Sequence, residues 1–251
     1  MKNSNSGVER LMTYIPDIKG NLRRHMIEVP EVIQKASGIR VFGKLIKSLA
    51  FTTDVAVIKN INADAIIAVY PFTPQPAITS ALAGAANVPM FCGVGGGRTT
   101  GKRVVNLALD AEFEGAFGVV LNAPTSNETI RAVSEVVDIP IIITVVSEHR
   151  DIKARLDAGA QILNVSGASK TIDIVKKIRD ANPYVPIIAT GGPTEETILA
   201  TIEAGANAIT YTPPKRVQAE DKLKVAEELA KLISMDSEED LKGITLRNKK
   251  E

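Results

Sequence analysis

The sequence predicts an α/β chain folded as a (β/α)8, or TIM, barrel with an N-terminal helix and hairpin extension, and three observations carry that expectation. First, eight short runs, near-continuously apolar and rich in Val and Ile, recur at Ser48 to Asp54, Ala65 to Pro71, Pro89 to Gly95, Gly118 to Ala123, Pro140 to Ser147, Ile162 to Gly167, Pro186 to Gly192 and Ala208 to Pro213. Such runs suit parallel strands covered on both faces. Second, segments with helical spacing separate them: Gln75 to Ala86, Thr100 to Gly115, Asn127 to Val137, Asp151 to Ala158, Thr171 to Ala181, Glu195 to Ala204 and Lys222 to Ile233. Only the Asp54 to Asn60 connection is short. Third, a weak repeat runs through the chain. Three runs follow a Val-Pro or Ile-Pro step, at Pro89, Pro140 and Pro186; two others follow Ala-Gly-Ala, at Ala158 to Ala160 and Ala204 to Ala206. Proline at a strand's first position removes no needed ladder bond, and the small Ala-Gly-Ala ending lets a helix turn tightly into the next strand. Eight strands alternating with helices fit the barrel; the alternative is an open doubly wound sheet.

The flanks stand outside the repeat. Leu22 to Ala36 reads as an amphipathic helix interrupted at Pro30, and Ile39 to Ile46 as a small hairpin. Residues 1–47 are therefore expected to form an extension that plugs the barrel bottom or covers a partner, 48–233 the barrel, and 234–251 a charged, partly disordered tail.

Bulk properties narrow the function. The 30 Lys+Arg against 29 Asp+Glu leave a formal charge of +1, which gives no electrostatic reason to invoke nucleic acid or an anionic membrane. The single cysteine, Cys92, excludes an intramolecular disulfide framework and a Cys-rich zinc site, and fits a reducing cytoplasm. No apolar stretch reaches a membrane span's length, and the polar start MKNSNSGVER does not read as a signal peptide. The expected partner is a small molecule; whether the barrel forms a homo-oligomer is left open.

In a barrel, function belongs at the C-terminal ends of the strands. Those ends carry small polar residues, among them Asn122, Ser147, Asn164, Ser166 and Thr190. Period-two counting puts Asn164 and Ser166 on one face of their strand, and Thr144 and Glu148 on one face of theirs. If those faces point inward, the upper barrel is a polar cavity.

The stretch Ile188-Ala189-Thr190-Gly191-Gly192, an acidic-start helix, and then Glu203-Ala204-Gly205-Ala206-Asn207-Ala208 resembles the seventh and eighth units of phosphate-binding (β/α)8 barrels. That superfamily includes the ribulose-phosphate-binding barrels and the FMN-dependent and IMP-dehydrogenase-like barrels. The resemblance implies a phosphate held by Gly191 and Gly192 and by the N-terminus of the following helix, where bare N–H groups and the helix dipole favour an anion. It covers about the last third of the chain and specifies fold better than chemistry. There is one departure: Thr210-Tyr211-Thr212-Pro213-Pro214 stands where relatives carry a second glycine loop, and prolines offer no N–H. Ser166 and Gly167 are expected to supply the missing donors. The bland alternative makes Gly191-Gly192 a tight turn and nothing more.

A second glycine cluster, Gly93 to Gly97 followed by Arg98, Lys102 and Arg103, matches neither the dinucleotide fingerprint nor the Walker loop. Gly96, Gly97 and Arg98 form a candidate anion-binding or lid loop; otherwise they make a long surface loop.

The candidate catalytic residues are Asp54, Glu148 and His149, with Asn122 as a polar partner. No lysine lies within an expected strand or at its immediate end, which removes Schiff-base chemistry. Asp54 also stands where a helix N-cap stands, and Glu148 and His149 also fit a solvated loop. Cys92 fits a small buried hydrophobe better than a nucleophile, and His25 a structural or exposed role. A divalent metal held by Asp54, Glu148 and His149 has no spacing motif behind it, and bound FMN no signature beyond the resemblance; a metal-free site is preferred. Two function classes follow. One is an enzyme acting on a small, phosphorylated metabolite by isomerase, lyase or hydrolase chemistry. The other is a barrel that binds a metabolite or a partner without turnover.

Overall fold

In the computed structural model, which describes residues 26–213 together with Pro16 and Ile18, eight parallel strands close on themselves. They are β3 (Ser48–Phe51), β4 (Ala65–Ala68), β5 (Met90–Gly95), β6 (Gly118–Leu121), β7 (Ile141–Val145), β8 (Ile162–Val165), β9 (Ile187–Thr190) and β10 (Ala208–Tyr211). Each pairs with its neighbours in chain order, and β10 returns to β3, pairing Thr210 with Leu49. The expected barrel is the observed one, and the open sheet is set aside. A two-stranded antiparallel hairpin, β1 (Ile39–Val41) and β2 (Lys44–Ile46), precedes it.

The weak repeat has a hydrogen-bond explanation at the N-terminal rim. Proline surrenders its own N–H, yet the carbonyls of Pro89, Pro140 and Pro186 accept from Ile66, Val119 and Leu163 on the preceding strand, at 2.8, 2.9 and 3.0 Å. Three of the strands without proline are preceded by a side-chain acceptor. Asp64, Gln161 and Asn207, each just ahead of its strand, accept from the first N–H of the strand before: Ser48 at 2.9 Å, Ile141 at 3.2 Å and Ile187 at 2.9 Å. The proline carbonyls thus take the second N–H of the preceding strand, and these side chains take the first.

Seven α-helices are described: α1 (Val55–Asn60), α2 (Pro76–Ala85), α3 (Lys102–Phe113), α4 (Asn127–Ser134), α5 (Ile152–Asp157), α6 (Thr171–Ala181) and α7 (Glu195–Glu203). Six match the expected segments within a few residues. The seventh, α1, fills the connection read as short; six residues hold too little periodicity to register, yet Asp54 caps them and Val57 and Ile58 are buried. The expected helix Lys222 to Ile233, the 234–251 tail and His25 lie outside the described residues.

Alternation along the strands builds two cores. Leu49, Ile67, Phe91, Val120, Ile142, Ile162 and Ile188 fill the barrel interior, while Ile66, Cys92, Val119, Ile143, Leu163 and Ile209 face the helices. Val41 and Ile46 of the hairpin join the interior cluster and close its N-terminal end. Over residues 26–36 the expected amphipathic helix is not what forms. Ile27 makes a parallel bridge to Ile61, and only Glu31–Lys35 coils, as a 3-10 turn after Pro30. The buried apolar positions, Val29, Ile33 and Ala36, carry a helix-like spacing that docking of an irregular segment satisfies equally well.

Candidate functional site at the barrel mouth

Above the apolar layers, the inward row turns polar on one side. The register pairs Val120 with Ile142 and Thr144 with Asn164, so Asn122, Thr144 and Asn164 continue the interior face across three adjacent strands. Thr190 pairs with Thr210 on the same face. Asn164 Nδ2 donates to Thr144 Oγ1 at 3.4 Å, and Thr190 Oγ1 donates to Ser166 Oγ at 3.3 Å. Asn164 Oδ1 and Thr210 Oγ1 are buried and find no partner among the described residues. On the opposite side, β3 to β5 present Phe51, Val69 and Gly93, placed inward by the pairing of Phe51 with Ile67 and Gly93 with Val120. The mouth therefore has a hydrogen-bonding half and an apolar half.

A cavity of about 470 Å³ opens on that apolar half. The β4–α2 loop, Tyr70 to Pro74, forms one wall; Gly93 and Gly95 to Thr99 form another; Asn122 closes the side. The β5 loop is tight. Gly96 N donates to Thr99 O at 3.1 Å, Asn122 N donates to Gly95 O at 2.9 Å, and a Cβ on Gly96 would sit 2.5 Å from Asn122 Cβ. Glycine is required there because the loop lies against the Asn122 backbone. Of the expected residues, Gly96, Gly97, Arg98 and Asn122 thus come together, and Arg98 is the one charged side chain lining the cavity among the described residues.

Gly191 and Gly192 each have a packing reason. A Cβ on Gly191 would meet Ile209 at 2.7 Å and Ile198 at 2.8 Å, while Gly192 adopts φ +85°, where only glycine is unstrained. The neighbouring donors are engaged: Gly191 N gives to Thr210 O at 3.4 Å and Gly167 N to Thr171 Oγ1 at 3.0 Å. The N-terminus of α7 is closed by a capping box between Thr194 and Thr197, and its first turn carries Glu195 and Glu196. Hydrogen bonds from the Thr194 side chain and from its own backbone hold Glu196 below the usual carboxylate range, which keeps negative charge at this helix start.

Asp54 and the Glu148–His149 pair stand on different elements. Asp54 caps α1, its Oδ1 accepting from Ala56 N at 2.8 Å and Val57 N at 3.3 Å. Glu148 lies beyond the end of β7, so strand alternation does not carry it onto the Thr144 face; it lines a groove between α5 and α6, 3.6 Å from Lys177 and 3.8 Å from His149. The His149 side chain is 82% exposed. No group of three His, Cys, Asp or Glu able to hold a metal occurs among the described residues. Cys92 faces the helices, and burial pushes its thiol up to about 12; it is inert as a nucleophile at neutral pH.

The Tyr70 to Pro74 wall follows an expected strand end, with the Tyr70 hydroxyl accepting from Gln75 N at 3.0 Å. Two features escaped the sequence reading. Thr210 was read only as part of the stretch standing in place of a second glycine loop. Arg155, buried on α5, donates to the carbonyls of Thr125 and Ala123 and so braces the loop that carries Asn122. Burial, and then Arg150, lowers its guanidinium below the usual value.

The sequence matches no protein-family model and no curated protein. Solved structures do resemble the fold. A candidate phosphonomutase from Burkholderia cenocepacia J2315 aligns with TM-score 0.57 at 17% identity, over 72% of this chain and 93% of that one. Phosphonopyruvate hydrolase in complex with oxalate and Mg2+ aligns at 0.55 and 15% identity, over 78% and 85%. Mandelate oxidase with 3,3-difluoro-2-hydroxy-3-phenylpropionic acid aligns at 0.58 and 16%, over 71% and 69%. At these identities the likeness establishes the (β/α)8 fold of this chain and leaves its chemistry to its own residues.

Proposed function

We propose that this barrel is an enzyme acting at its mouth on a small, phosphorylated metabolite, by isomerase, lyase or hydrolase chemistry that uses no Schiff-base lysine. The supporting observations are two buried polar atoms without a partner among the described residues, Asn164 Oδ1 and Thr210 Oγ1, on the inward face of β8 and β10, and a cavity of about 470 Å³ on the other half of the mouth. A buried polar atom without a partner costs about 1–3 kcal/mol, and a bound ligand offsets that cost. Asp54 is the acid/base this reading assigns: it follows the end of β3 by three residues, caps α1, and its capping bonds use Oδ1 alone. Glu148 is second, because it faces the outer groove.

A barrel that binds without turnover is the competing reading, and it too has an observation behind it: the described inward row carries amides and hydroxyls rather than ionisable groups. One experiment separates them. Thermal unfolding of the full chain is followed with inorganic phosphate, a panel of sugar phosphates and FMN. A ligand at 100 times its dissociation constant stabilises the folded state by about 2.7 kcal/mol, a readable shift. Each compound that shifts the midpoint is then assayed for conversion by the wild type and by Asp54→Asn, since asparagine preserves the cap. The enzyme reading expects conversion by the wild type and binding without conversion by the variant. Binding with no conversion by either protein establishes the binder, and the absence of any shift rejects a phosphorylated ligand.

A further inference from the structure

We infer that the segment Lys222 to Ile233 docks as a helix against its own barrel, running parallel to α7 in the groove between α7 and the 3-10 turn Glu31–Lys35, with Lys222 beside Glu195 and Glu196.

The groove follows from where the N-terminal segment lies. A (β/α)8 barrel surrounds its strands with a ring of helices, each following its strand, so the interval between α7 and α1 belongs to a helix after β10. Residues 27–36 occupy the floor of that interval. Ile27 bridges Ile61 just past α1, its N–H donating to Asn60 O at 2.7 Å, and the 3-10 turn packs against α7. Val29 and Ile33 enter the same buried cluster as Ala50 of β3 and Ile209 of β10. Above this floor remains a groove of about 590 Å³, lined among the described residues by half-buried Val32 and Leu199, by the acids Glu31, Glu195 and Glu196, and by one cation, Lys35. None of the three carboxylates has an ion-pair partner among the described residues.

The chain carries a matching occupant. Leu223, Ala226, Ala230 and Ile233 recur at spacings of three, four and three, with Leu229 beside them, while Lys224, Glu227, Glu228 and Lys231 take the opposite face. Lys222 heads the apolar side, four residues before Ala226. Glu195 and Glu196 open α7, so a second helix starting alongside it puts Lys222 next to those acids and Ala226 next to Leu199. The reach suffices. Thr210 pairs with Thr190, Glu195 lies five residues past Thr190 and Pro213 three past Thr210, and the eight residues 214–221 extend up to about 27 Å. A tether of that length holds the segment at an effective concentration on the order of millimolar, which favours it over a second copy of the chain in dilute solution.

The test uses the full-length chain carrying Leu199→Cys together with a second cysteine, placed on the apolar side by Ala226→Cys or Ala230→Cys, or on the opposite face by Lys224→Cys or Glu228→Cys. The native Cys92 is buried and its thiol pushed up to about 12, so it does not compete. Disulfide formation in dilute protein under mild oxidant is followed by gel mobility. The expected result is that at least one apolar-side variant closes an intramolecular disulfide tenfold or more faster than both opposite-face variants, and that the difference vanishes in urea. Adding Lys222→Glu is expected to slow closure severalfold, and Glu195→Lys/Glu196→Lys in the same chain to restore it. Equal rates from the two faces overturn the docking. A disulfide-linked dimer in place of the intramolecular bond gives the groove to a second copy and overturns it as well. Closure that ignores both charge reversals overturns the pairing of Lys222 with the two glutamates.

Discussion

The two ends of the barrel solve the same problem in opposite ways. At the N-terminal end three strand starts, Ser48, Ile141 and Ile187, have their backbone N–H groups answered by a specific side-chain acceptor. Asp64 Oδ2 takes Lys47 N, Ser48 N and Ser48 Oγ, all at 2.9 Å. Asn207 holds Ile187 N, Arg179 and Ser37, and Arg179 also reaches the carbonyls of Gly205, Pro183 and Val185. At the C-terminal end the accounts are left open. All four buried side-chain atoms without a partner among the described residues, on Thr125, Asn127, Asn164 and Thr210, lie at strand ends or in the loops and helix starts that follow them. Saturated polar groups hold a structure together, and unsaturated ones are ready to hold something else.

Substitutions at three positions probe that contrast. Asp64→Ala strands three donors at the closed end and is expected to destabilise the fold by about 3 kcal/mol, read as a lower urea midpoint at unchanged m-value. A loss under about 1 kcal/mol would mean that water satisfies the strand starts and that the closed end is less specific than it looks. Asp54→Ala removes a cap and is expected to cost about 1 kcal/mol, whereas Asp54→Asn costs a few tenths or less. Equal losses in both variants would show that the charge of Asp54, rather than its capping oxygen, stabilises the mouth. Thr210→Val has the smallest effect and the opposite sign. Removing an unpartnered buried hydroxyl at nearly constant volume is expected to leave stability unchanged or raise it by up to about 1 kcal/mol. Clear destabilisation would reveal a partner for that hydroxyl and weaken its role in ligand binding.

The same contrast explains which parts were legible in the sequence. Strand positions were readable because a strand buried on both faces cannot afford polar interruptions, and Pro140 or Gly159 punctuates the chain locally. The end of α6 at Ala181 and the start of α4 at Asn127 matched the expected bounds because Ser126 and the apolar spacing are local signals. The site was less legible. Glu148 looked inward by counting, yet β7 ends at Val145 and the count no longer applies. Gly191 and Gly192 looked like a ligand loop, although packing against Ile198 and Ile209 and a left-handed turn account for both.

By itself, then, the sequence determined the order of strands and helices, the closed-barrel class and the polar character of the strand ends, because burial and backbone chemistry are written in consecutive residues. The tertiary structure alone decided which polar groups meet. Asn164 reaches Thr144 across 20 positions and Arg155 reaches Ala123 across 32, and Arg98 shares a cavity with Tyr70 and Asn122. Those meetings depend on strand register and loop path, which arise only when the eighth strand closes against the first.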